Sequence, residues 1–222
     1  MTNGEQPTPL EGVISQMLKP VKNVPFALIV HALCDKKIIP IDLSLAEDQS
    51  LLEGLRGVIS LCFDHIQAKP IVRPRPNEVG NDVEGYVKKA LANNGYRVEA
   101  PRSVSGKTKS TGYPDILFFD DKDRPTYLEC KTFSADTIDT TMRSFYLSPS
   151  DEFKISLEAR HLVLSFEMKS SPIDGSKNSE YLPTSYKLLD VHSLLCDVKY
   201  EFNSNNKRLY DQSLILQEGR LA

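Results

Sequence analysis

The sequence predicts an α/β fold, with a mixed central sheet flanked by helices and an N-terminal helical extension. Apolar residues recur at helical spacing over 43–66 and 77–94, which indicates two amphipathic helices. Two short β-prone runs flank an Asp- and Pro-rich connector within 116–128, the pattern of a hairpin. From residue 77 onward the predicted order is helix, three strands, helix, strand and a further strand, which is typical of an α/β core.

Composition restricts the class of protein. The 222 residues, 40% of them hydrophobic, suffice for one large domain or a domain with a helical extension. A net charge of −3 excludes a globally basic, histone-like protein, although a local basic groove would suffice for contact with DNA. The four cysteines form no C-x-x-C, so we expect free thiols in a reducing cytoplasm. No apolar run or leader-like N-terminus indicates a membrane partner.

The first 70 residues are predicted to form helices, and no residue pattern among them indicates a catalytic site. We therefore divide the chain into an N-terminal helical region, 1–70, and a core with recognition segments, 71–222. The helix over 43–66 has Ser44 as a good N-cap and Glu47 three residues later, which is a capping box. Two shorter elements precede it: a helix over 10–18 and an apolar stretch over 25–34 that periodicity assigns equally to helix or strand.

The remaining segments of the core follow from the same patterns. Prolines and basic residues over 69–76 predict an extended connector, and Asn94-Gly95 ends the helix that starts at residue 77. The later segments are predicted as follows: a strand over 96–100, a helix over 151–160, a buried strand over 161–166, a long loop over 169–183, a strand over 186–191, and a strand or short helix over 193–202.

The register of the 116–128 hairpin can be predicted from its connector. If residue 119 pairs with residue 125, paired positions sum to 244, and Asp115 lies opposite Glu129. Side chains alternate between the two faces of a strand, so Glu129 and Lys131 share one face while Leu128 and Cys130 take the other. The hairpin is therefore expected to gather Asp115, Glu129 and Lys131 into one polar cluster.

Such a cluster suits a specific chemistry. Two close carboxylates repel each other unless a cation lies between them. Mg²⁺ prefers hard oxygen ligands and usually binds through one or two carboxylates while it keeps several waters. A lysine beside the metal can orient or activate an attacking water, or offset charge that develops on a phosphate. The cluster therefore predicts metal-assisted hydrolysis of a phosphodiester.

The same residues resemble a known family. Pro114-Asp115, followed by Glu129-Cys130-Lys131, is similar to the PD-(D/E)xK nuclease motif, the active site of most type II restriction endonucleases and of several repair nucleases. The resemblance covers roughly 77–168 and implies a restriction-endonuclease-like core. It implies that Asp115 and Glu129 bind Mg²⁺ and that Lys131 activates the water. In that family a preceding helix often adds an acidic residue; Glu84 matches by position, and an exposed helix glutamate is the alternative.

Three polar segments outside this motif are candidates for DNA binding. The loop 101–112 carries basic residues among small ones and leads into the motif, so contact with the DNA backbone is favoured over a solvated loop. Segments 132–152 and 203–208 are rich in groups that read base edges, although an Asn-rich surface turn explains the second equally well. The candidate residues are Arg102, Lys107, Lys109, Arg143, Asn203, Asn205, Lys207 and Arg208.

The sequence as a whole predicts a Mg²⁺-dependent endonuclease that cuts double-stranded DNA at a short specific sequence, as a type II restriction enzyme does. A homodimer is expected, because such enzymes commonly match a palindromic site. One alternative is a structure-selective nuclease of the same fold, such as a junction resolvase or repair nickase. Another is a non-catalytic DNA-binding module. No ATPase loop motif and no G-x-S-x-G motif occurs in the chain.

Overall fold

The computed structural model describes residues 8–19, 21–107, 112–141, 144–148, 150, 152–199 and 204–217. Its helices are α1 (Pro9–Met17), α2 (Phe26–Cys34), α3 (Ala46–Ala68), α4 (Pro76–Asn93) and α5 (Asn206–Leu209). Its strands are β1 (Val21–Pro25), β2 (Ile71–Arg73), β3 (Arg97–Glu99), β4 (Ile116–Phe119), β5 (Pro125–Phe133), β6 (Arg160–Pro172), β7 (Ser179–Asp190) and β8 (Leu195–Val198). A 3₁₀ turn spans Gln212–Leu214.

The chain forms two compact units. One unit is Pro25–Leu194, and the other combines residues 1–24 with residues 195–222. In the second unit, β1 and β8 form a two-stranded sheet, so the segment predicted as strand or short helix contains a strand. Within the described ranges, no helix is both long enough and apolar enough to cross a membrane.

The larger unit is built on a mixed six-stranded sheet in the order β2-β7-β6-β5-β4-β3. Neighbouring strands are antiparallel except β5 and β6, which run parallel. The apolar faces of α3 and α4 join the sheet in one core cluster, which includes the fully buried residues Val58, Val83, Phe118 and Phe166. The predicted α/β architecture, with helices flanking a mixed sheet, is confirmed.

Strands β5 and β6 run parallel, so a long crossover connects them. One prediction for this connection is wrong. A helix was expected over 151–160, but residues 152–159 form none. The backbone amides of Ser156 and Leu157 donate instead to the Tyr127 hydroxyl, at 2.9 and 3.3 Å. Ile155 is 1% exposed and is fixed in the core. The apolar residues of this segment fall on alternate positions rather than at helical spacing, and tertiary contacts determine its course.

The prediction of a loop over 169–183 is also wrong. β6 and β7 continue through it as a long antiparallel hairpin whose last pair is Pro172 with Ser179. The turn is closed by backbone bonds from Ile173 to the Asn178 carbonyl, 3.2 Å, and from Ser176 to the Ile173 carbonyl, 3.0 Å. Positions 169–172 are exposed. Both faces of this end of β6 meet solvent, so this part of the strand lacks the apolar alternation that identifies a strand from sequence.

The helices of the N-terminal region differ from the predicted ones in one respect. The 25–34 stretch is a helix, α2, and the short helix α1 is present. Helix α3, however, begins at Ala46 without a side-chain cap. The expected cap, Ser44, donates its hydroxyl and its amide to the Asp42 carboxylate, at 2.6 and 2.8 Å. A short polar turn therefore competes for the serine, as local side-chain hydrogen bonds often do.

A buried charge pair connects α3 to the start of β6 and gives a stability prediction. Asp48 is 1% exposed, is ion-paired with Arg160, and lies 3.8 Å from Arg124. Asp48→Ala leaves Arg160 buried without that partner and is expected to lower the free energy of unfolding by about 3–5 kcal/mol. Denaturant unfolding measures this change. The matched control is Glu53→Ala, which removes an exposed pair with Arg56 and should change stability by less than about 1 kcal/mol. Equal effects would contradict the argument.

Candidate active site

The β4–β5 hairpin has the predicted register. Ile116 pairs with Leu128 and Phe119 pairs with Pro125, so each pair sums to 244. The tight connector is organised by Asp120, whose carboxylate accepts hydrogen bonds from the backbone amides of Lys122 and Arg124, both at 3.0 Å. A short polar turn of this kind determines register, because a slip by one residue would move every side chain to the other face.

Asp115 immediately precedes β4, and its carboxylate is fixed across the hairpin. Its Oδ2 accepts a hydrogen bond of 2.9 Å from the backbone amide of Cys130. Since Cys130 lies between Glu129 and Lys131, this bond brings the Asp115 carboxylate to the same stretch of β5. The polar cluster expected from the sequence is therefore assembled in the structure.

Glu129 and Lys131 lie on one face of β5, as strand alternation requires. The Lys131 ammonium nitrogen is 2.7 Å from Glu129 Oε1. Glu129 is only 6% exposed, and its second oxygen, Oε2, is buried without a hydrogen-bond partner among the residues described. Leu128 and Cys130 face the hydrophobic core. A buried carboxylate oxygen without a partner is costly, so its presence indicates that a ligand completes the site.

The electrostatics of the pair support that reading. Burial raises the pKa of Asp115, and the nearby charge of Glu84 adds to the rise while the Cys130 amide opposes it. Burial also raises the pKa of Glu129, the Asp115 charge adds to it, and Lys131 opposes it. A half-buried and a buried carboxylate are therefore held close together, and a divalent cation would relieve both their burial cost and their repulsion.

These carboxylates open onto a cavity of about 370 Å³ between α4 and the hairpin. Its lining includes Asp115, Glu129 and Lys131 together with Glu84 from α4. Glu84 is ion-paired with Lys88 on the same helix. The structure thus brings all four sequence-predicted catalytic candidates to one cavity, with Glu84 on the opposite wall.

The donor set fits Mg²⁺. Across the described part of the chain, no three His, Cys, Asp or Glu side chains converge on one point as ligands. An all-protein cage for zinc or calcium is therefore not formed by these residues. Two carboxylates, one with an unpartnered oxygen, match a Mg²⁺ ion that keeps most of its coordination shell as water.

Two residues at this site were missed by sequence reasoning. Lys154 is 5% exposed, and its charge lowers the pKa of both Asp115 and Glu129. Tyr146 lines the cavity, and its ring centroid lies 5.8 Å from the Lys131 ammonium. Lys154 belongs to the segment wrongly predicted as helix, and no local pattern distinguishes it from a surface lysine. Only the tertiary course of residues 152–159 reveals it.

The structure describes only some of the predicted DNA-binding residues. Arg102 and Lys107 are exposed at a turn closed by the Ser103 amide, which donates to the Lys107 carbonyl at 2.8 Å. Neither residue lines the cavity described above. Three further candidates lie outside the described residues, namely Lys109, Arg143 and Asn203.

The remaining candidates lie on or beside α5, in the unit that contains residues 195–222. Asn205 is the N-cap of α5, and its side chain accepts a 3.0 Å hydrogen bond from the Arg208 amide. This cap gives Asn205 a structural role. Lys207 and Arg208 are exposed on α5. Their contribution to DNA readout stays a prediction.

Comparison with known proteins identifies the family of the chain. The model of the type II restriction enzyme MjaV family matches residues 20–213. The protein named Type II restriction enzyme MjaV, from Methanocaldococcus jannaschii, is 37% identical over 224 residues, which cover 94% of each chain. The resemblance to type II restriction endonucleases is confirmed by these matches, and the chain belongs to the type II restriction enzyme MjaV family.

Proposed function

We propose that the chain is a Mg²⁺-dependent endonuclease that cleaves double-stranded DNA at a short specific sequence. The observation that carries the proposal is the carboxylate pair Asp115 and Glu129, in which the buried Glu129 Oε2 has no partner among the described residues, beside the Lys131 ammonium. In a family of type II restriction enzymes, such a pair at the wall of an open cavity is best explained as a metal site for phosphodiester hydrolysis.

Each residue of the cluster has a proposed role. Asp115 and Glu129 would hold the metal, with the Cys130 amide fixing the Asp115 carboxylate. A Mg²⁺ ion held there would supply charge neutralisation at the phosphate and would make the attacking water more acidic. Lys131, held at 2.7 Å from Glu129, would orient the attacking water or stabilise charge on the phosphate. Glu84 would assist from the facing helix, since its charge acts on Asp115.

DNA contacts are proposed in two groups. Arg102, Lys107 and Lys109 would contact phosphates, which fix position but carry no sequence information. Base readout would come from Arg143 and from the segment with Asn203, Asn205, Lys207 and Arg208. Neutralising Arg102 and Lys107 together should flatten the plot of log affinity against log salt by about 0.9 for each lost contact. An unchanged slope in salt titrations would show that both charges are merely solvated.

A Mg²⁺ digest of a plasmid of known sequence tests the activity. Discrete, reproducible fragments that map to one motif are expected, and no cleavage should occur with EDTA. A smear, or nicking at unrelated positions, would contradict site-specific cleavage. Cutting restricted to branched or mismatched DNA would favour the structure-selective alternative of the same fold. Binding without cleavage under any divalent metal would favour a non-catalytic module.

We also propose that the protein acts as a homodimer. The mapped motif should then be palindromic, because a two-fold symmetric enzyme presents the same contacts to both strands. Light scattering of the protein alone and bound to its site measures the assembly. A single chain per asymmetric site would contradict the dimer and leave the catalytic proposal unaffected.

A further inference from the structure

A second cavity adjoins the first and contains a buried lysine that the proposed mechanism does not use. Its volume is about 300 Å³, and it shares Gly112, Tyr113 and Tyr146 with the cavity of the carboxylates. Lys154 lines this second cavity and does not line the first. The two cavities therefore form consecutive compartments with a common wall.

Lys154 is an unusual lysine because nearly all of its side chain is buried. Its exposed fraction is 5%, and no hydrogen bond or ion pair joins its ammonium to another residue in the part of the chain that the structure describes. Burial lowers the pKa of Lys154, whereas the charges of Asp115 and Glu129 oppose that fall. Lysine is rarely buried without a partner, so the Lys154 ammonium is available to bind an anionic ligand that enters the cavity.

The backbone around Lys154 is held on both sides. The Phe153 carbonyl accepts a 3.1 Å hydrogen bond from the Val104 amide. On the other side, the Ser156 amide donates to the Tyr127 hydroxyl at 2.9 Å, and Ile155 is buried in the core. The lysine is thus positioned before any ligand arrives, which reduces the entropy lost when one binds.

The other polar groups of the second cavity suit a phosphate. Ser148 and Ser150 add hydroxyl donors to the lining. Glu152 also lines the cavity, but its carboxylate accepts a 2.6 Å hydrogen bond from the Ser105 hydroxyl. A lysine ammonium together with hydroxyl donors can bind a phosphate oxygen, since charge-assisted hydrogen bonds are the strong ones.

We propose that the second cavity is a phosphate subsite, in which Lys154 binds the DNA phosphodiester that neighbours the one being cut. A DNA strand presents its phosphates in series, so two adjoining compartments along its path take consecutive phosphates. Lys131 and the carboxylates serve the first, and Lys154 serves the second. The inference rests on the proposed nuclease function and adds a second phosphate contact to it.

A simpler role for Lys154 would be to balance the charges of Asp115 and Glu129. Both roles predict slower cleavage when the lysine is replaced by an uncharged residue. They differ in one respect: only a direct contact makes the effect of Lys154 depend on the charge of one particular phosphate. A test must therefore change the phosphates one at a time.

The experiment uses short duplexes that contain the mapped cleavage site. Each phosphate on either side of the cut is replaced singly by a neutral methylphosphonate, and single-turnover rates are compared for wild type, Lys154→Met and Lys122→Met. Lys122 is an exposed lysine in the β4–β5 connector and serves as the matched control. At one neighbouring phosphate, neutralisation should slow wild type and Lys122→Met about tenfold or more. Lys154→Met should be slow on unmodified DNA and lose no further rate at that position.

The outcomes distinguish failure of the phosphate subsite from failure of the proposed nuclease function. If Lys154→Met loses as much rate as wild type at every modified position, Lys154 does not contact a neighbouring phosphate. If wild type cleaves no DNA, the proposed function fails and the subsite fails with it. Lys154→Arg, which keeps the cation, should recover the wild-type sensitivity to the one modified phosphate. Failure of that recovery in a variant with a wild-type thermal melt would also overturn the subsite.

Discussion

Lys131→Ala is expected to lower the rate of DNA cleavage by at least about 10²–10³-fold while site-specific binding is retained. The lysine ammonium lies 2.7 Å from Glu129 and faces the cavity where the phosphate would bind. A preorganised charge at that position acts on the transition state, where negative charge develops, more than on the bound ground state. Its loss should therefore appear in the rate constant rather than in affinity.

The measurement combines single-turnover cleavage in Mg²⁺ with binding assays in Ca²⁺, in which little turnover is expected. Lys122→Ala is the control for the loss of one positive charge, because Lys122 is exposed in the β4–β5 connector. It should cleave at the wild-type rate. Cleavage that survives in Lys131→Ala, or an equal loss of binding and of rate, would remove Lys131 from the proposed catalytic group.

The hairpin illustrates what a sequence can predict about a site. The Asp- and Pro-rich connector determines where the two strands turn, and strand alternation then determines which side chains share a face. Both steps are local, so the register of β4 and β5 and the shared face of Glu129 and Lys131 follow from nearby residues. Membership of a restriction enzyme family was anticipated on the same few residues.

The wrong predictions share a physical cause. The segment 152–159 was expected to be a helix, yet its apolar residues fall on alternate positions and its amides bond to Tyr127, which belongs to β5. The 169–183 segment is polar, yet it is held in a hairpin by pairing between β6 and β7. Both outcomes depend on partners distant in sequence, and Lys154 was overlooked for this reason. Local patterns contain no information about such contacts.

The two carboxylates of the site have a consequence for stability. Burial raises the pKa of Asp115 and Glu129 above their ordinary values of 3.8 and 4.5. Between each ordinary value and its raised value, the folded protein binds more protons than the unfolded chain. Stability therefore falls as pH rises through that window, and the two carboxylates destabilise the metal-free protein at neutral pH. Mg²⁺ binds the ionised carboxylates, so its stabilising effect on the folded protein should grow as pH rises through the same window.

Asp115→Asn is accordingly expected to raise the stability of the metal-free protein at neutral pH while removing its response to Mg²⁺. The amide side chain keeps an oxygen for the Cys130 amide and removes one of the two negative charges of the pair. A gain of about 1 kcal/mol would raise the melting temperature by about 2–4 °C for a chain of this size. Wild type should be stabilised by Mg²⁺, and increasingly so as pH rises through the window.

Thermal melts in EDTA and in Mg²⁺ across acidic to neutral pH measure both effects, with Asp174→Asn, in the exposed β6–β7 turn, as the control. The control should behave as wild type under every condition. If Asp115→Asn melts below wild type in EDTA, the carboxylate is structural rather than held ready for a cation. If Mg²⁺ stabilises the variant as much as wild type, the ion binds elsewhere. Because neither outcome requires cleavage, the metal site can be tested independently of the recognition sequence.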